Sequence, residues 1–310
     1  MKIVKSFVQC YHKMSNYGKL LFFICLLFVI VVFFRTHSLK KNTEGFRETS
    51  QFVFKQGEAI YDPFYADIYD HLVFNQIKNE YEVGLILNQT TPNEKSVIAD
   101  IGCGTGHQVN DLHSNNLEVI GIDISPSMID KAKSNYPYIS SQFKVGDGLD
   151  GTLFQQVSLT HIVCLYFTIY YMKNKMTFFY NCYSWLMPGG YLIVHLVDKY
   201  KFDPILPPGN PLYIVSPQKY AKDRITHTKI TFNDFVYNSN FKLKDDIATF
   251  DEKFKFNDGH VRKQEQKLYM EDLPTIVQFA QDAGFTLHSK IDMVKCAYEN
   301  QFLYVFVKPN

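Results

Sequence analysis

The sequence VIADIGCGTG at residues 97–106 decides how this chain folds. A short stretch, apolar except for Asp100, leads into a run in which Gly102, Gly104 and Gly106 alternate with other residues. This pattern predicts a strand-to-helix turn, because glycine lets the backbone turn tightly and approach a ligand where a Cβ atom would collide. Dinucleotide folds use GxGxxG at such a turn, whereas here His107 stands in the place of the third glycine. A plain tight turn also explains glycines, so the segment needs support from its surroundings.

Three features downstream give that support. Asp123 ends the next apolar stretch, VIGID, where a carboxylate can accept both hydroxyls of a ribose. Asp147 lies in VGDGLD, after a third strand-like segment, from which an acidic side chain can bind an exocyclic amino group, although a turn residue is the simpler explanation. The sequence LMPGGYLIV at residues 186–194 predicts a helix end, a Pro-Gly-Gly turn and a strand.

Strand-like and helix-like segments alternate around these features, which predicts a parallel sheet wound on both faces. One or two amphipathic helices are expected at 62–87, before the sheet. After Asp198 the pattern changes to prolines and then to strand alternation over 226–270, which predicts an inserted antiparallel sheet. That sheet either buries one face of the core or forms a roof over the active site. A helix at 272–283 and strands at 285–291 and 301–307 are expected to close the fold.

In their order and spacing, the four features resemble the class I S-adenosylmethionine-dependent methyltransferase family over roughly residues 61–309. The resemblance implies a seven-stranded, doubly wound, Rossmann-like α/β sheet, with S-adenosylmethionine as cofactor and S-adenosylhomocysteine as product. In that family the glycines of the first motif pass beneath the methionine part of the cofactor, and the acidic residue after the second strand binds the ribose. The resemblance therefore implies a methionine site at Asp100, Gly102, Gly104 and Gly106, a ribose site at Asp123, and an adenine side at Asp147 and Gly148. Further cofactor-binding candidates are Tyr61, Cys103, Ile124, Met128 and Leu165.

The acceptor site is expected after the fourth and fifth strands, beyond the carboxyl ends of the sheet. Family members that methylate amides or adenine carry an [ND]PP[YF] motif there, and this chain has Tyr166, Phe167, Thr168 and Ile169 instead. Methylation of a DNA base or a glutamine amide is therefore disfavoured, and a small-molecule amine or hydroxyl acceptor is expected. A loose further resemblance points to the sugar N-methyltransferase branch.

The catalytic candidates are His195 and Tyr170, each with core packing as the alternative explanation. Whether any general base is used is left open, because alignment of nucleophile, methyl group and sulfur supplies much of the acceleration in this reaction. The oligomeric state is also left open.

The N-terminus differs from the rest of the chain. Residues 20–34 are apolar without interruption, which predicts a transmembrane signal-anchor over about 17–34 within an N-terminal segment at 1–35. A cleaved signal peptide and a buried or interfacial helix are the alternatives. A linker at 36–60 and the methyltransferase domain at 61–310, with its inserted sheet at about 200–270, are expected to follow. The prediction is a single-pass membrane protein with its catalytic domain facing the cytosol, although the flanking positive charges do not decide the orientation.

Composition excludes other classes of protein. The net charge of +1 gives no field that would concentrate nucleic acid, so a nucleic-acid partner is not expected. The six cysteines form no CxxC pair and have no histidine spacing suited to zinc, so no metal is expected. Two other functions stay open: a non-catalytic, membrane-anchored binding protein for S-adenosylmethionine or a nucleotide, and an NAD-dependent oxidoreductase, for which Asp123 would also suit the ribose.

Overall fold

The computed structural model of the protein describes residues 52–209 and 216–310, together with residues 15, 17–19, 22, 24, 25 and 27. The chain divides into two units, Met1–Arg47 and Glu48–Asn310. In the first unit, the described residues from 17 to 27 are helical. All the elements named below belong to the second unit.

The predicted transmembrane helix is corrected by the structure. Crossing the hydrocarbon layer takes about 20 consecutive apolar residues in one helix. In the part of the chain that the structure describes, no helix is both that long and that apolar. Most of residues 17–34 lie outside the described residues. This finding contradicts the predicted transmembrane signal-anchor. The predictions of a single-pass membrane protein and of a cytosol-facing domain on a membrane tether are therefore also wrong.

The larger sheet has seven strands in the order β11-β12-β6-β5-β2-β3-β4. The five neighbouring strands β6, β5, β2, β3 and β4 are parallel to one another. Strand β12 runs antiparallel to both β6 and β11. The strands are β2 (Val97–Ile101), β3 (Glu118–Asp123), β4 (Phe143–Val145), β5 (Leu159–Cys164), β6 (Leu186–Val197), β11 (Thr286–Asp292) and β12 (Gln301–Val307). This is the doubly wound, seven-stranded arrangement that the family resemblance implies.

The Pro-Gly-Gly segment belongs to β6, although the sequence predicts a turn there. The backbone N–H of Gly189 donates to the carbonyl of Lys308 (2.8 Å), and the N–H of Lys308 donates to the carbonyl of Gly190 (2.9 Å). Pairing with the chain after β12 therefore extends the strand. Such long-range pairing leaves no local signal, because glycines suit a turn and a strand edge equally.

Helices cover both faces of this sheet, and side-chain caps start most of them. Asp62 caps α1 by accepting the N–H of Tyr65 (3.1 Å), Asn75 caps α2 by accepting that of Lys78 (3.1 Å), and Ser125 caps α4. The helices are α1 (Pro63–Val73), α2 (Gln76–Thr90), α3 (His107–His113), α4 (Pro126–Asn135), α5 (Thr168–Tyr171), α6 (Lys175–Trp185) and α7 (Leu273–Asp282).

The second sheet has five strands in the order β1-β10-β9-β8-β7. Four of them are the inserted antiparallel strands β7 (His227–Thr231), β8 (Phe235–Lys244), β9 (Ile247–Phe256) and β10 (Val261–Tyr269). The fifth, β1 (Phe52–Gln56), pairs in parallel with β10 and comes from the stretch that the sequence predicts to be a linker. Five residues with one partner strand carry little periodicity of their own, so only the tertiary pairing identifies β1.

Three apolar cores place the functional region. One lies between the large sheet and α6 and α7 and continues into the inserted sheet, and a second lies on the opposite face beneath α2, α3 and α4. The third core packs α1 against β8 and β9. Helix α1 and the inserted sheet therefore meet beside the carboxyl ends of the parallel strands, which is where open α/β sheets bind ligands.

Candidate active site

The glycine-rich turn connects β2 to α3 in a conformation that only glycine adopts readily. Gly102, Gly104 and Gly106 have φ angles of +80°, +56° and +91°. A Cβ atom on Gly102 would lie 2.3 Å from the side chain of Thr168, so a larger residue is excluded by the start of α5 as well. At Gly104 the space is open, because the first atoms met are Met128 Cε at 3.6 Å and a ring carbon of Tyr69 at 3.7 Å. The turn therefore leaves bare backbone facing an open space at the end of β2.

Asp123 organises this turn from the end of β3. Its carboxylate accepts the N–H of Gly104 on Oδ2 (3.0 Å) and the N–H of Ser125 on Oδ1 (2.9 Å). Burial raises the pKa of Asp123, while the two backbone N–H groups lower it. Each carboxylate oxygen has a second lone pair, so Asp123 retains capacity to accept hydroxyl donors from a ligand.

Asp100 is a buried carboxylate with an unused acceptor. It is 2% exposed, and its Oδ2 has no hydrogen-bond partner among the described residues. Burial and the negative charges of Asp123 and Glu82 raise the pKa of Asp100 to about 8. A buried polar atom without a partner is costly unless a ligand satisfies it. Asp100 is therefore placed to receive a cationic or donor group at the glycine turn.

The remaining predicted cofactor residues follow β2, β3, β4 and β5, except Met128, which lies in the first turn of α4. Ile124 is exposed although it is apolar, Met128 is buried next to Gly104, and Asp147 is exposed and accepts the N–H of Leu149 (2.9 Å). Gly148 is buried, and a Cβ there would lie 2.8 Å from Ile101, so close packing explains this glycine. The other two, Cys103 and Leu165, are buried in the core on the side of α2 and α3.

These residues fit S-adenosylmethionine. The cofactor carries a ribose with two hydroxyls and an α-ammonium group, and the turn presents one carboxylate with free lone pairs and another with an unpartnered oxygen. The open space at Gly104 gives a ligand access to the backbone. An exposed apolar side chain at Ile124 suits the face of a base.

A cavity with an empty volume of about 1020 Å³, part of it open to solvent, adjoins the turn. Aromatic rings form much of its wall, with contributions from α1, the segment after β5, the inserted sheet and the loop before β12. Its lining includes Tyr61, Tyr65, Tyr69, Asn75, Tyr166, Phe167, Tyr171, Phe202, Asp203, Phe241, Phe250, Gln266, Leu268, Tyr298 and Gln301. No lysine or arginine is found among the described residues of this wall. The cavity therefore favours neutral or cationic ligands over anions.

The cavity and the glycine turn share a wall. The Oγ of Ser125 donates to the backbone carbonyl of Tyr61 (2.6 Å), which ties the start of α1 to the residue that follows the Asp123 turn. Tyr69, on the same face of α1, lines the cavity and also reaches Gly104. The rings of Tyr61, Tyr65 and Tyr69 are in edge contact at 5.6 and 5.9 Å between successive centroids. A ligand at the turn and a ligand in the cavity would therefore lie next to each other.

Tyr166 marks the point where the chain leaves β5 and enters the cavity wall. Its φ angle is +53°, an uncommon value for a residue with a large side chain. The ammonium of Lys78 lies 5.1 Å from the centre of this ring and 5.5 Å from the centre of the Tyr298 ring. A non-glycine residue held in this conformation beside a cavity is typical of functional sites.

The two catalytic candidates do not reach the cavity. His195 is completely buried behind Tyr166 and Phe167, with ring centroids 6.4 and 6.2 Å away, and burial lowers its pKa well below the ordinary value. Tyr170 is also completely buried, and its hydroxyl accepts the N–H of Val197 (2.8 Å). Neither is among the described residues that line the cavity. Both are therefore buried outside the described cavity wall.

Sequence reasoning missed several residues of the wall. The segment after β6 contributes Asp203 and the neighbouring residues 204–207, and the loop before β12 contributes residues 296–298. The prolines of the first segment are visible in the sequence, but they carry no information on where the segment lies. The inserted sheet, which the sequence predicts either to bury one face of the core or to form a roof over the active site, lines the cavity through Phe241, Phe250, Gln266 and Leu268.

The chain was compared with protein-family models and with known proteins, and both comparisons found similar sequences. A family model described as a methyltransferase domain matches residues 98–190. The chain is 22% identical over 158 residues to a carboxy-S-adenosyl-L-methionine synthase of Actinobacillus pleuropneumoniae serotype 5b (strain L20), covering 48% of this chain and 65% of that protein. It is 27% identical over 150 residues to a dTDP-4-amino-2,3,4,6-tetradeoxy-D-glucose N,N-dimethyltransferase of Saccharopolyspora spinosa, covering 46% and 57%. The chain thus spans less than two thirds of the length of these relatives.

Among solved structures, the fold is similar to that of the sugar N-methyltransferase KedS8 from Streptoalloteichus sp ATCC 53650. The TM-score is 0.59 and the identity 18%, over 87% of this chain and 100% of that chain. At this identity the likeness concerns the fold.

Proposed function

Since the chain belongs to the class I S-adenosylmethionine-dependent methyltransferase family, we propose that it methylates a small-molecule amine or hydroxyl acceptor held in the aromatic cavity. The comparisons confirm the family, the enzyme class and the cofactor expected from the sequence. When bound, S-adenosylmethionine supplies an electrophilic methyl group on a positively charged sulfur. The acceptor and the roles of individual residues belong to the proposal.

One observation carries the proposal: the glycine turn and the aromatic cavity share a wall. Methyl transfer from a sulfonium is an in-line displacement, so the protein must hold the acceptor against the methyl group and keep water out. Tyr61 and Tyr69 belong to both sites, through the bond from Ser125 and the approach to Gly104. Helix α1 thereby fixes the acceptor site relative to the cofactor site.

In this proposal the residues at the turn hold the cofactor. Asp123 accepts the ribose hydroxyls, and the unpartnered oxygen of Asp100 receives the α-ammonium group. Bare backbone at Gly102 and Gly104 lies beneath the methionine part, and Ile124, Met128 and Asp147 border the adenine. Cys103, Gly106, Gly148 and Leu165 support these groups from the core side.

The acceptor class follows from the cavity wall. Tyrosine faces attract cations, and the described wall carries the carboxylate of Asp203 without a lysine or arginine. An amine acceptor therefore fits better than an anionic one. The relative from Saccharopolyspora spinosa is named for an amino sugar and the solved structure for a sugar, which supports an amino sugar as the first acceptor to test.

His195 and Tyr170 are assigned a positioning role. His195 stacks behind Tyr166, whose strained backbone begins the segment lining the cavity, and Tyr170 ties that segment to β6 at Val197. A neutral, buried imidazole cannot contact the acceptor from this position. Replacing His195 with Asn is therefore expected to raise the acceptor KM through movement of Tyr166.

The test is transfer of a tritiated methyl group from S-adenosylmethionine to a panel of small amines and alcohols. The panel contains 4-amino-4,6-dideoxy-D-glucose and 6-deoxy-D-glucose, each free and as the dTDP derivative. We expect label in an amine or hydroxyl member with the wild type and none with Asp123→Ala. The control is Asp130→Asn, an exposed carboxylate on α4, which keeps full activity. Binding of S-adenosylhomocysteine without transfer to any member would contradict the proposal and favour a non-catalytic binding protein.

A further inference from the structure

A buried carboxylate lies behind the acceptor cavity, in the middle of the inserted sheet. Glu252 on β9 is 2% exposed and is not itself among the described residues of the cavity wall. Its two oxygens are held by neutral donors: the hydroxyls of Tyr65 (3.2 Å to both oxygens) and Tyr237 (2.6 Å) and the amides of Gln264 (2.6 Å) and Gln266 (2.8 Å). These donors all suit an ionised carboxylate, and none of them cancels its charge.

Two of these donors connect Glu252 to the cavity. Tyr65 and Gln266 both line the cavity wall, and the amide of Gln266 also donates to the hydroxyl of Tyr65 (3.1 Å). On the cavity side, the hydroxyl of Tyr171 donates to the amide oxygen of Gln266. The network therefore runs from a buried negative charge, through one hydroxyl, to the place where an acceptor would lie.

Burying a carboxylate is costly, and neutral hydrogen bonds offset the cost without removing the charge. In a low-dielectric environment the remaining charge attracts a cation in the cavity more strongly than it would in water. The same carboxylate can take a proton, and burial raises the pKa of Glu252 while the four donors lower it. Both properties match the needs of an amine, which arrives as an ammonium ion and must lose a proton before it can act as a nucleophile.

We propose that Glu252, acting through Tyr65, selects a basic amine as the acceptor and removes its proton. The ammonium N–H proton passes to the Tyr65 oxygen as the Tyr65 hydroxyl proton passes to Glu252. The freed nitrogen lone pair then forms the new C–N bond while the C–S bond of the sulfonium breaks, and the positive charge moves from sulfur to nitrogen. The proton on Glu252 is released to water after the products leave. This inference rests on the proposed function and narrows its acceptor from amine or hydroxyl to a basic amine.

The groups around Glu252 do not compete for this role. Tyr65 on α1 and Tyr237 on β8 are buried phenols, and burial raises the pKa of each well above its ordinary value. Arg262 on β10 bonds the amide oxygen of Gln264 (2.9 Å) and is paired with Asp62 (2.8 Å). The other titratable groups facing Glu252 are Tyr166 and Tyr171, both phenols. Glu252 is therefore the carboxyl group among these side chains, and burial makes the phenols beside it hold their protons more tightly than in water.

The experiment compares Glu252→Gln, Tyr65→Phe and Tyr237→Phe in initial-rate assays between pH 6 and 10. The probe is 4-amino-4,6-dideoxy-D-glucose, free and as the dTDP derivative, with 6-deoxy-D-glucose in the same forms as the hydroxyl counterpart. Tyr237→Phe is the matched control, because it also removes a hydrogen bond to Glu252 but leaves the cavity wall unchanged. S-adenosylhomocysteine affinity, measured by calorimetry on each variant, reports whether the cofactor site is intact.

We expect the wild type to methylate the amine and not the hydroxyl compound. Glu252→Gln and Tyr65→Phe should each lower kcat/KM about 100-fold or more near pH 7, with the loss shrinking toward pH 10 as the free amine loses its proton in solution. Tyr237→Phe should lose less than about tenfold. Equal losses in all three variants without pH dependence would show a purely structural role and overturn the proposal, as would methylation of the hydroxyl compound. If no probe is methylated while S-adenosylhomocysteine binds, the proposal fails together with the proposed acceptor class. If S-adenosylhomocysteine does not bind the wild type, the proposed function itself fails.

Discussion

The substitution Asp100→Asn tests the electrostatics of the cofactor turn. Burial, together with the charges of Asp123 and Glu82, raises the pKa of Asp100 to about 8 in the folded chain, whereas an unfolded Asp titrates near 3.9. Between these values the folded state binds a proton that the unfolded state has released. The contribution of protonated Asp100 to the stability of the folded state is therefore fully present below the unfolded pKa, and it is lost as pH rises toward 8.

The size of the effect follows from this difference. Stability changes by about 1.4 kcal/mol per pH unit while only one of the two states holds the proton. Between pH 5.5 and 8 the wild type should lose ~3 kcal/mol relative to Asp100→Asn, whose amide does not titrate. For a domain of this size ~1 kcal/mol corresponds to about 2 °C or more in Tm, so the Tm difference should change by ~6 °C.

The assay is thermal unfolding of wild type and Asp100→Asn at pH 5.5 and pH 8, with and without S-adenosylhomocysteine. Without ligand, we expect the Tm of the wild type to fall by ~6 °C relative to that of Asp100→Asn between pH 5.5 and pH 8. With saturating S-adenosylhomocysteine this fall should be clearly smaller, because the ligand ammonium favours the ionised carboxylate. Asp130→Asn, which changes an exposed carboxylate on α4, is the control, and its Tm difference should stay constant. A constant difference for Asp100→Asn as well would refute the assignment, since Asp100 would then be ionised in the folded protein without a ligand.

Two further substitutions test the geometry around the turn. Gly102→Ala combines a φ of +80° with a contact at 2.3 Å to Thr168, so it should destabilise the protein by ~2–3 kcal/mol and weaken S-adenosylhomocysteine binding. Its matched control, Gly84→Ala within α2, meets nothing within 4 Å and should stabilise by ~0.5–1 kcal/mol; equal effects in urea unfolding would contradict the argument. Ser125→Ala removes both a helix cap and the bond to the carbonyl of Tyr61, so it should cost ~1–2 kcal/mol and raise the acceptor KM. An unchanged KM would show that α1 is positioned without that bond.

The sequence predicted the parts of the site that depend on local structure. The positive φ angles of Gly102, Gly104 and Gly106 favour glycine, and Asp123 lies at the end of its strand, so spacing along the chain was sufficient to find them. The alternation of apolar segments likewise predicted a sheet wound on both faces, and the family resemblance implied its seven strands.

The acceptor cavity could not be predicted in this way, because its wall is assembled from distant segments. Gln266 reaches Tyr65 across 201 positions of sequence, and Asp203 enters from a proline-rich stretch with no regular pattern. His195 was a plausible catalytic residue by its position near the end of β6. In the structure it is completely buried: β12 pairs with β6 at this position through Leu303, and the rings of Tyr166 and Phe167 lie 6.4 and 6.2 Å from its own ring.

The central claim is that the glycine turn and Asp123 bind S-adenosylmethionine. Its most direct test is isothermal titration calorimetry of S-adenosylhomocysteine with the wild type and with Asp123→Asn, and of NAD with the wild type. Asp123 holds the turn through Gly104 and Ser125, and the proposal assigns both ribose hydroxyls to it. Removing its charge should therefore weaken the binding free energy of S-adenosylhomocysteine by ~2–4 kcal/mol, which raises Kd about 30-fold to 1000-fold. The account predicts that the wild type binds S-adenosylhomocysteine and not NAD, with the affinity lost in the variant. Binding of NAD instead, or S-adenosylhomocysteine binding that is unchanged by Asp123→Asn, would contradict it.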